Sequence, residues 1–179
     1  YTVFANKGIR VEPLFVTRIE DSYGNTIANF TPQMSEVLTE DASYKMLHML
    51  KSVIDGGTGG RVRFRYGIKA EMGGKTGTTQ NNSDGWFMGF TPDLVSGVWV
   101  GGEDRSIHFD GMADGQGASM ALPIYGLYMQ KVYADPTLGY SQQSNFEIPA
   151  EYADPCSGGS YVEEPAQEAP MESIEGIFD

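Results

Sequence analysis

Between residues 39 and 55 the apolar positions recur at helical spacing: Met46, Leu47, Leu50, Val53 and Ile54 fall on one face. Thr39 suits the N-cap, and Gly56-Gly57 ends the run. That stripe predicts a helix packed on a core. A second stripe of Leu122, Tyr125, Tyr128, Met129 and Val132 predicts a helix over Ala118–Tyr133, with Pro123 in its first turn, where proline is tolerated. In the middle of the chain the pattern changes. Gly85–Phe90 and Leu94–Val100 predict two aromatic-rich strands joined at Thr91-Pro92-Asp93, with proline at the first central turn position. Arg61–Tyr66 and Ile68–Met72 predict two further strands, separated by Gly67. Before the first long helix, a short helix end precedes a hairpin. Val11 to Glu20 alternates, Tyr23-Gly24-Asn25-Thr26 turns, and Ile27 to Phe30 returns. Asp104 to Gly117 reads as a Gly/Asp loop. These elements predict an α/β chain of the α+β type, an antiparallel sheet flanked by helices.

Charge divides the chain in two. Residues 1–131 carry 12 Lys/Arg and 14 Asp/Glu, whereas residues 132–179 carry 10 acids and no base. The net charge of −12 therefore belongs mostly to the C-terminal stretch. Its composition shifts to Ser, Gln, Pro, Gly and Glu after Asp135, so the expected division is a folded part at 1–135 and a largely disordered acidic tail at 136–179. Nucleic acid is excluded as a partner, because phosphate contact needs clustered Lys and Arg. The one basic cluster, Arg61, Arg63 and Arg65, would share one face of the predicted strand. Cys156 stands alone, so no internal disulfide forms. No apolar run approaches the roughly 20 residues of a membrane helix.

The chemistry lies in Gly73-Gly74-Lys75-Thr76-Gly77-Thr78-Thr79. A phosphate-binding P-loop would need glycine five residues before Gly74, where Lys69 stands, and a helix afterwards, where Gly77, Asn81, Asn82 and Gly85 interrupt. A metal site is not predicted: His48 and His108 form no paired motif, and Met112 and Ala121 occupy ligand positions of a calcium loop begun at Asp110. No cofactor is implied. What remains is the Lys-Thr-Gly element of penicillin-recognising serine enzymes. Its parts suit the work. Glycines at 74 and 77 would let a substrate backbone approach a strand edge. Lys75 adds positive charge, Thr76 and Thr78 add hydroxyls for a carboxylate, and an outward N–H can hold an oxyanion.

The surroundings of that tripeptide carry a resemblance. YTVFANKGIRVEP at Tyr1–Pro13, Ile19-Glu20-Asp21 with Gly24, Gly57-Thr58-Gly59, GKTGTT at Gly74–Thr79, DGWFMGFTP at Asp84–Pro92 with Leu94-Val95, VWVG at Val98–Gly101, and ALPIYGLYM at Ala121–Met129 occur in one order. Over residues 1–133 the chain resembles the bifunctional class A penicillin-binding proteins. Gly85 departs mildly, standing where relatives often have Ala. The resemblance implies the C-terminal part of the penicillin-binding, β-lactamase-like transpeptidase fold. It also implies roles for individual residues. Lys75 orients substrate and assists proton movement; Thr76 and Thr78 hold the carboxylate of a D-Ala-D-Ala stem peptide or a β-lactam. The Thr78 N–H forms half of an oxyanion hole, and Gly77 keeps the approach clear. Trp86 and Phe87 read as packing.

Half of that family's chemistry is not in these residues. No serine from Ser22 to Ser173 is followed three residues on by lysine, and none has asparagine two residues on. The expectation is a chain truncated on its N-terminal side, with the nucleophile, a glycosyltransferase domain and a membrane anchor upstream. The resemblance implies a peptidoglycan D,D-transpeptidase outside the cytoplasm of a bacterium, in the periplasm or at the outer face of the cytoplasmic membrane, and a chain that is inactive in isolation. Peptidoglycan stem peptides and β-lactams are the implied partners, β-lactams binding covalently only when the missing serine is present. The competing expectation is a non-catalytic extracytoplasmic binding or scaffolding module of the same fold.

Overall fold

A computed structural model describes residues 1–149 of the chain. In chain order its elements are α1 (Thr2–Ala5), β1 (Ile9–Val11), β2 (Arg18–Glu20), β3 (Thr26–Asn29), β4 (Met34–Glu36), α2 (Glu40–Asp55) and α3 (Arg61–Phe64). Then follow β5 (Gly73–Thr78), β6 (Asp84–Phe90), β7 (Val95–Gly101), α4 (Met112–Gly115), α5 (Gly117–Met120) and α6 (Leu122–Ala134). The central feature is an antiparallel sheet in the order β5-β6-β7, with α2 and α6 packed on it. The expected architecture holds.

Helix α2 forms where its pattern placed it. The Thr39 hydroxyl accepts a hydrogen bond from Ala42 N at 3.2 Å, and Glu40 and Asp41 sit favourably at the positive end of the helix dipole. Leu47, Leu50 and Ile54 are buried, whereas Met46 lies on the exposed side. These three side chains straddle the sheet. Leu47 and Leu50 join Phe90 and Phe146 in one cluster, and Ile54 joins Phe87, Met72 and Tyr125 in the other. The β6–β7 hairpin closes with Phe90 opposite Val95, and Thr91 N donates to Leu94 O across the turn at 2.8 Å.

The C-terminal helix is divided. Pro123 has no N–H to offer the carbonyl of Ser119, so α5 stops at Met120 and α6 starts at Leu122. Tyr128, expected inward, is 43% exposed; Leu122, Tyr125, Met129 and Val132 are buried. The Tyr125 ring packs tilted against Phe87, with ring centres 4.8 Å apart. Burial pushes the Tyr125 phenol well above the ordinary tyrosine range.

Two predicted strands do not form. Residues 61–64 are a helical turn, in which positions two apart point in nearly opposite directions, so Arg63 faces away from Arg61 and Arg65 and the three do not line one face. Arg61 donates to Ala118 O (3.1 Å) and Ser119 Oγ (3.2 Å). Arg63 pairs with Asp55 at 2.9 Å and donates to the carbonyls of Ile68 and Ala70, and Arg65 lies 6.0 Å from the Tyr66 ring centre. Ile68, Ala70 and Met72 are buried in alternation, yet their backbone joins no ladder. Arg63 takes two of the carbonyls, and Lys69 N donates to the side chain of Gln142. At the N-terminus the hairpin is β2 with β3, inside a long-range pairing of β1 with β4 that local pattern did not announce.

Packing continues beyond the compositional break at Asp135. Phe146 is buried at 8% exposure, 6.0 Å from the Phe90 ring, and its N–H donates to Glu71 at 2.7 Å. Lys7 pairs with Glu147 beside it. The disorder expected of the acidic tail falls for residues 150–179 outside the described residues.

Candidate functional site

Strand β5 is extended and lies at one edge of the sheet, paired only with β6 in the ladder. Lys75 stands opposite Met88, Thr76 opposite Phe87, Gly77 opposite Trp86 and Thr78 opposite Gly85. Thr79 N donates to Asp84 O at 3.0 Å. Hydrogen-bonded pairs alternate along an antiparallel ladder. Lys75 and Gly77 therefore turn their backbone groups toward β6, while Thr76 and Thr78 turn theirs to the open edge. The Lys75 ammonium folds over that edge and donates to Thr76 O at 2.7 Å, as this polarity requires. The N–H of Thr78 points the same way.

Side chains alternate as well. Lys75 and Gly77 share one face with Trp86 and Met88, and together with Tyr1 and Thr76 they line an open hollow of about 320 Å³. Trp86 is 46% exposed there, so it is a wall of the hollow and not only packing; Phe87 is fully buried, as expected. A Cβ at Gly77 would meet only Trp86 Cβ, at 3.3 Å, so glycine leaves this stretch of edge open. Gly74 serves a different purpose. A Cβ there would stand 2.9 Å from both Ile54 Cδ1 and Met88 O, so this glycine lets α2 close against the strand. The accessible edge starts at Lys75.

Thr76 and Thr78 point to the other face, and both hydroxyls are engaged from behind. Thr58 Oγ1 lies 2.9 Å from Thr76 Oγ1, and Gly117 N donates to Thr78 Oγ1 at 3.0 Å. Thr58 belongs to the loop after α2; Gly117 opens α5, which Arg61 fastens through Ala118 and Ser119. Gly85 and Gly117 permit this contact. A Cβ on Gly85 would be 2.9 Å from Gly117 Cα, so the glycine that departs from the resembled pattern lies where α5 meets the sheet. Sequence reasoning quoted Gly57-Thr58-Gly59 as a segment but assigned it no contact with the edge. The arrangement offers two hydroxyls, an outward amide and an ammonium along one short edge, which suits a ligand ending in a carboxylate.

Comparison with known proteins gives these features a context. The family model for the penicillin binding protein transpeptidase domain matches residues 1–104. Penicillin-binding protein 1A of Aquifex aeolicus is 37% identical over 84% of this chain and 19% of its own length. The chain thus spans about a fifth of the curated relative it matches. Among solved structures, penicillin-binding protein 1A from Haemophilus influenzae superposes with a TM-score of 0.68 at 23% identity, covering 83% of this chain and 26% of that one. The D,D-transpeptidase domain of a peptidoglycan glycosyltransferase from Eggerthella lenta gives a TM-score of 0.51 at 22% identity, over 74% and 31%. At those identities the structural likeness concerns the fold.

Proposed function

The chain belongs to the penicillin-binding protein transpeptidase family, and we propose that Lys75–Thr78 is the substrate-holding edge of a peptidoglycan D,D-transpeptidase. A serine outside these residues attacks the carbonyl between the last two residues of a D-Ala-D-Ala stem peptide. The serine oxygen forms an ester with the penultimate residue as the peptide C–N bond breaks, and the terminal D-Ala leaves carrying the proton on its amine. A neighbouring stem-peptide amine then attacks that ester. The new amide cross-links the two strands, and the proton returns to the serine oxygen.

Each residue of the edge has a part in this. The Thr76 and Thr78 hydroxyls hold the terminal carboxylate, with Lys75 supplying positive charge beside it. The outward N–H of Thr78 is one donor to the oxyanion, a role in which one donor contributes about a hundredfold or more in rate. Gly77 leaves room for the peptide. A β-lactam presents the same carboxylate next to a strained amide, so it is taken up by the same groups. The observation that carries the reading is the polarity of β5: the Thr78 N–H and the Lys75 ammonium turn to the open edge, and the Thr76 and Thr78 hydroxyls, held from behind, flank it on the face opposite Lys75. Without a nucleophile the isolated chain starts no acylation. The enzyme works outside the cytoplasm, held to the membrane by sequence beyond this chain; among the described residues no helix is long and apolar enough to cross a bilayer.

Labelling with a fluorescent penicillin tests the reading on the full-length protein that carries this chain. The wild type should be labelled covalently. Thr76→Val, which removes one charge-assisted hydrogen bond, should slow labelling by roughly 10- to 100-fold. Full-length protein that takes no label would point instead to a non-catalytic scaffold of the same fold.

A further inference from the structure

A carboxylate only accepts hydrogen bonds, so a hydroxyl grips it only when its single proton is aimed at the ligand. That proton is easily misdirected. A threonine whose proton is spent on a neighbour turns a lone pair toward the carboxylate and repels it. At Thr78 the direction is already decided. Its oxygen accepts from Gly117 N, which can only donate, so the Thr78 proton is left for the edge. Arg61 holds the turn that presents this N–H, through bonds to Ala118 O and Ser119 Oγ. At Thr76 the partner is another hydroxyl. Thr58 Oγ1 lies 2.9 Å away, and either oxygen could donate.

Resting on the functional reading above, we infer that Thr58 is a positioning residue for carboxylate recognition. Its hydroxyl donates to Thr76 Oγ1 and so commits the Thr76 proton to the ligand's carboxylate, as Gly117 N–H does for Thr78. The bound carboxylate enforces the order. With the ligand accepting from Thr76, the Thr58–Thr76 bond survives only if Thr58 donates, and each bond in such a chain polarises the next. Thr58 needs no contact with the substrate for this. Its position, 18 residues before Thr76 and in a different element, makes it a separate backstop for the edge.

The test compares benzylpenicillin with its methyl ester as acylating agents of the full-length protein, since the ester keeps the reactive lactam but lacks the anionic oxygen. Thr58→Val should slow acylation by the acid about tenfold, the effect of one hydrogen bond, and leave the ester nearly untouched. Thr58→Ser should restore the acid rate. Equal slowing of both compounds, or wild-type rates with both, would overturn the inference. Thr76→Val is the reference: if it also leaves the acid rate unchanged, Thr76 holds no carboxylate and the functional reading falls with the inference. If Thr76→Val slows the acid and Thr58→Val does not, only the role of Thr58 is lost. Thr58 is exposed in its loop, so both of its variants should fold.

Discussion

Replacing Gly117 by alanine tests how the edge is supported from behind. A Cβ at this position would stand 2.5 Å from Trp86 O and closer still to Gly77 O. Both obstacles are backbone atoms in adjacent paired strands, so neither can swing aside as the tip of a flexible side chain would. The turn must lift from the sheet by about an ångström to reach an ordinary contact, an overpacking that costs roughly 1–3 kcal/mol. Lifting also stretches the 3.0 Å bond from Gly117 N to Thr78 Oγ1, whose loss adds about 0.5–1.5 kcal/mol. Alanine's better helix propensity returns less than about 1 kcal/mol. The expected net loss is about 2 kcal/mol, or a melting temperature lower by roughly 4–8 °C for a domain of 150–250 residues. Gly111→Ala is the matched control, because a Cβ there meets nothing within 4 Å. Thermal melting of the two variants in the full-length protein measures the difference, and penicillin acylation reads the Thr78 hydroxyl separately. If Gly117→Ala melts with Gly111→Ala and acylates at the same rate, α5 does not brace the edge.

The C-terminal segment and the N-terminal hairpin give two further predictions. Phe146→Ala empties a site shared with Leu47, Leu50 and Phe90 at a cost of about 3 kcal/mol; limited proteolysis should then cut between residues 139 and 149, and an unchanged cleavage rate would refute the anchoring. Asp21 accepts from Asn25 Nδ2 and from the N–H groups of Asn25 and Tyr23, and these bonds hold its carboxyl below the ordinary aspartate value. A lowered folded-state pKa contributes stability that is present above the unfolded value and lost as pH falls through the folded one. Amide exchange at Tyr23 and Asn25 should therefore accelerate as pH drops below about 4, beyond the intrinsic trend; Asp21→Asn should remove that acid dependence, and a variant that keeps it would refute the assignment.

What the sequence discloses follows the range over which each cause acts. Helix α2 and the β6–β7 hairpin are set by periodicity, a cap and a turn within a few residues of one another, and they appear where those signals stand. Arg61–Tyr66 misleads because alternating arginines fit a strand face or a helical turn equally well. The deciding partners, Asp55 for Arg63 and Ala118 with Ser119 for Arg61, are contributed by other elements. The pairing of Ile9 with Glu36 and the burial of Phe146 depend on distant segments in the same way.

The edge itself is a mixed case, and the mixture is informative. Much of its proposed chemistry lies in the backbone: an outward N–H at Thr78, an uncluttered Gly77 and the strand alternation that aims Thr76 and Thr78 together. Such features are written in the order of residues, so Lys75–Thr78 can be read locally. Gly74 shows the limit, because the same residue type two places away from Thr76 is there for Ile54 and not for a ligand. The direction of a hydroxyl proton is less visible still. It depends on which atom stands behind the oxygen, and for Thr76 and Thr78 those atoms come from residues 58 and 117. Groups that touch a ligand can thus be proposed from one stretch of sequence, while those that decide whether a hydroxyl attracts or repels it are found only once the chain is folded.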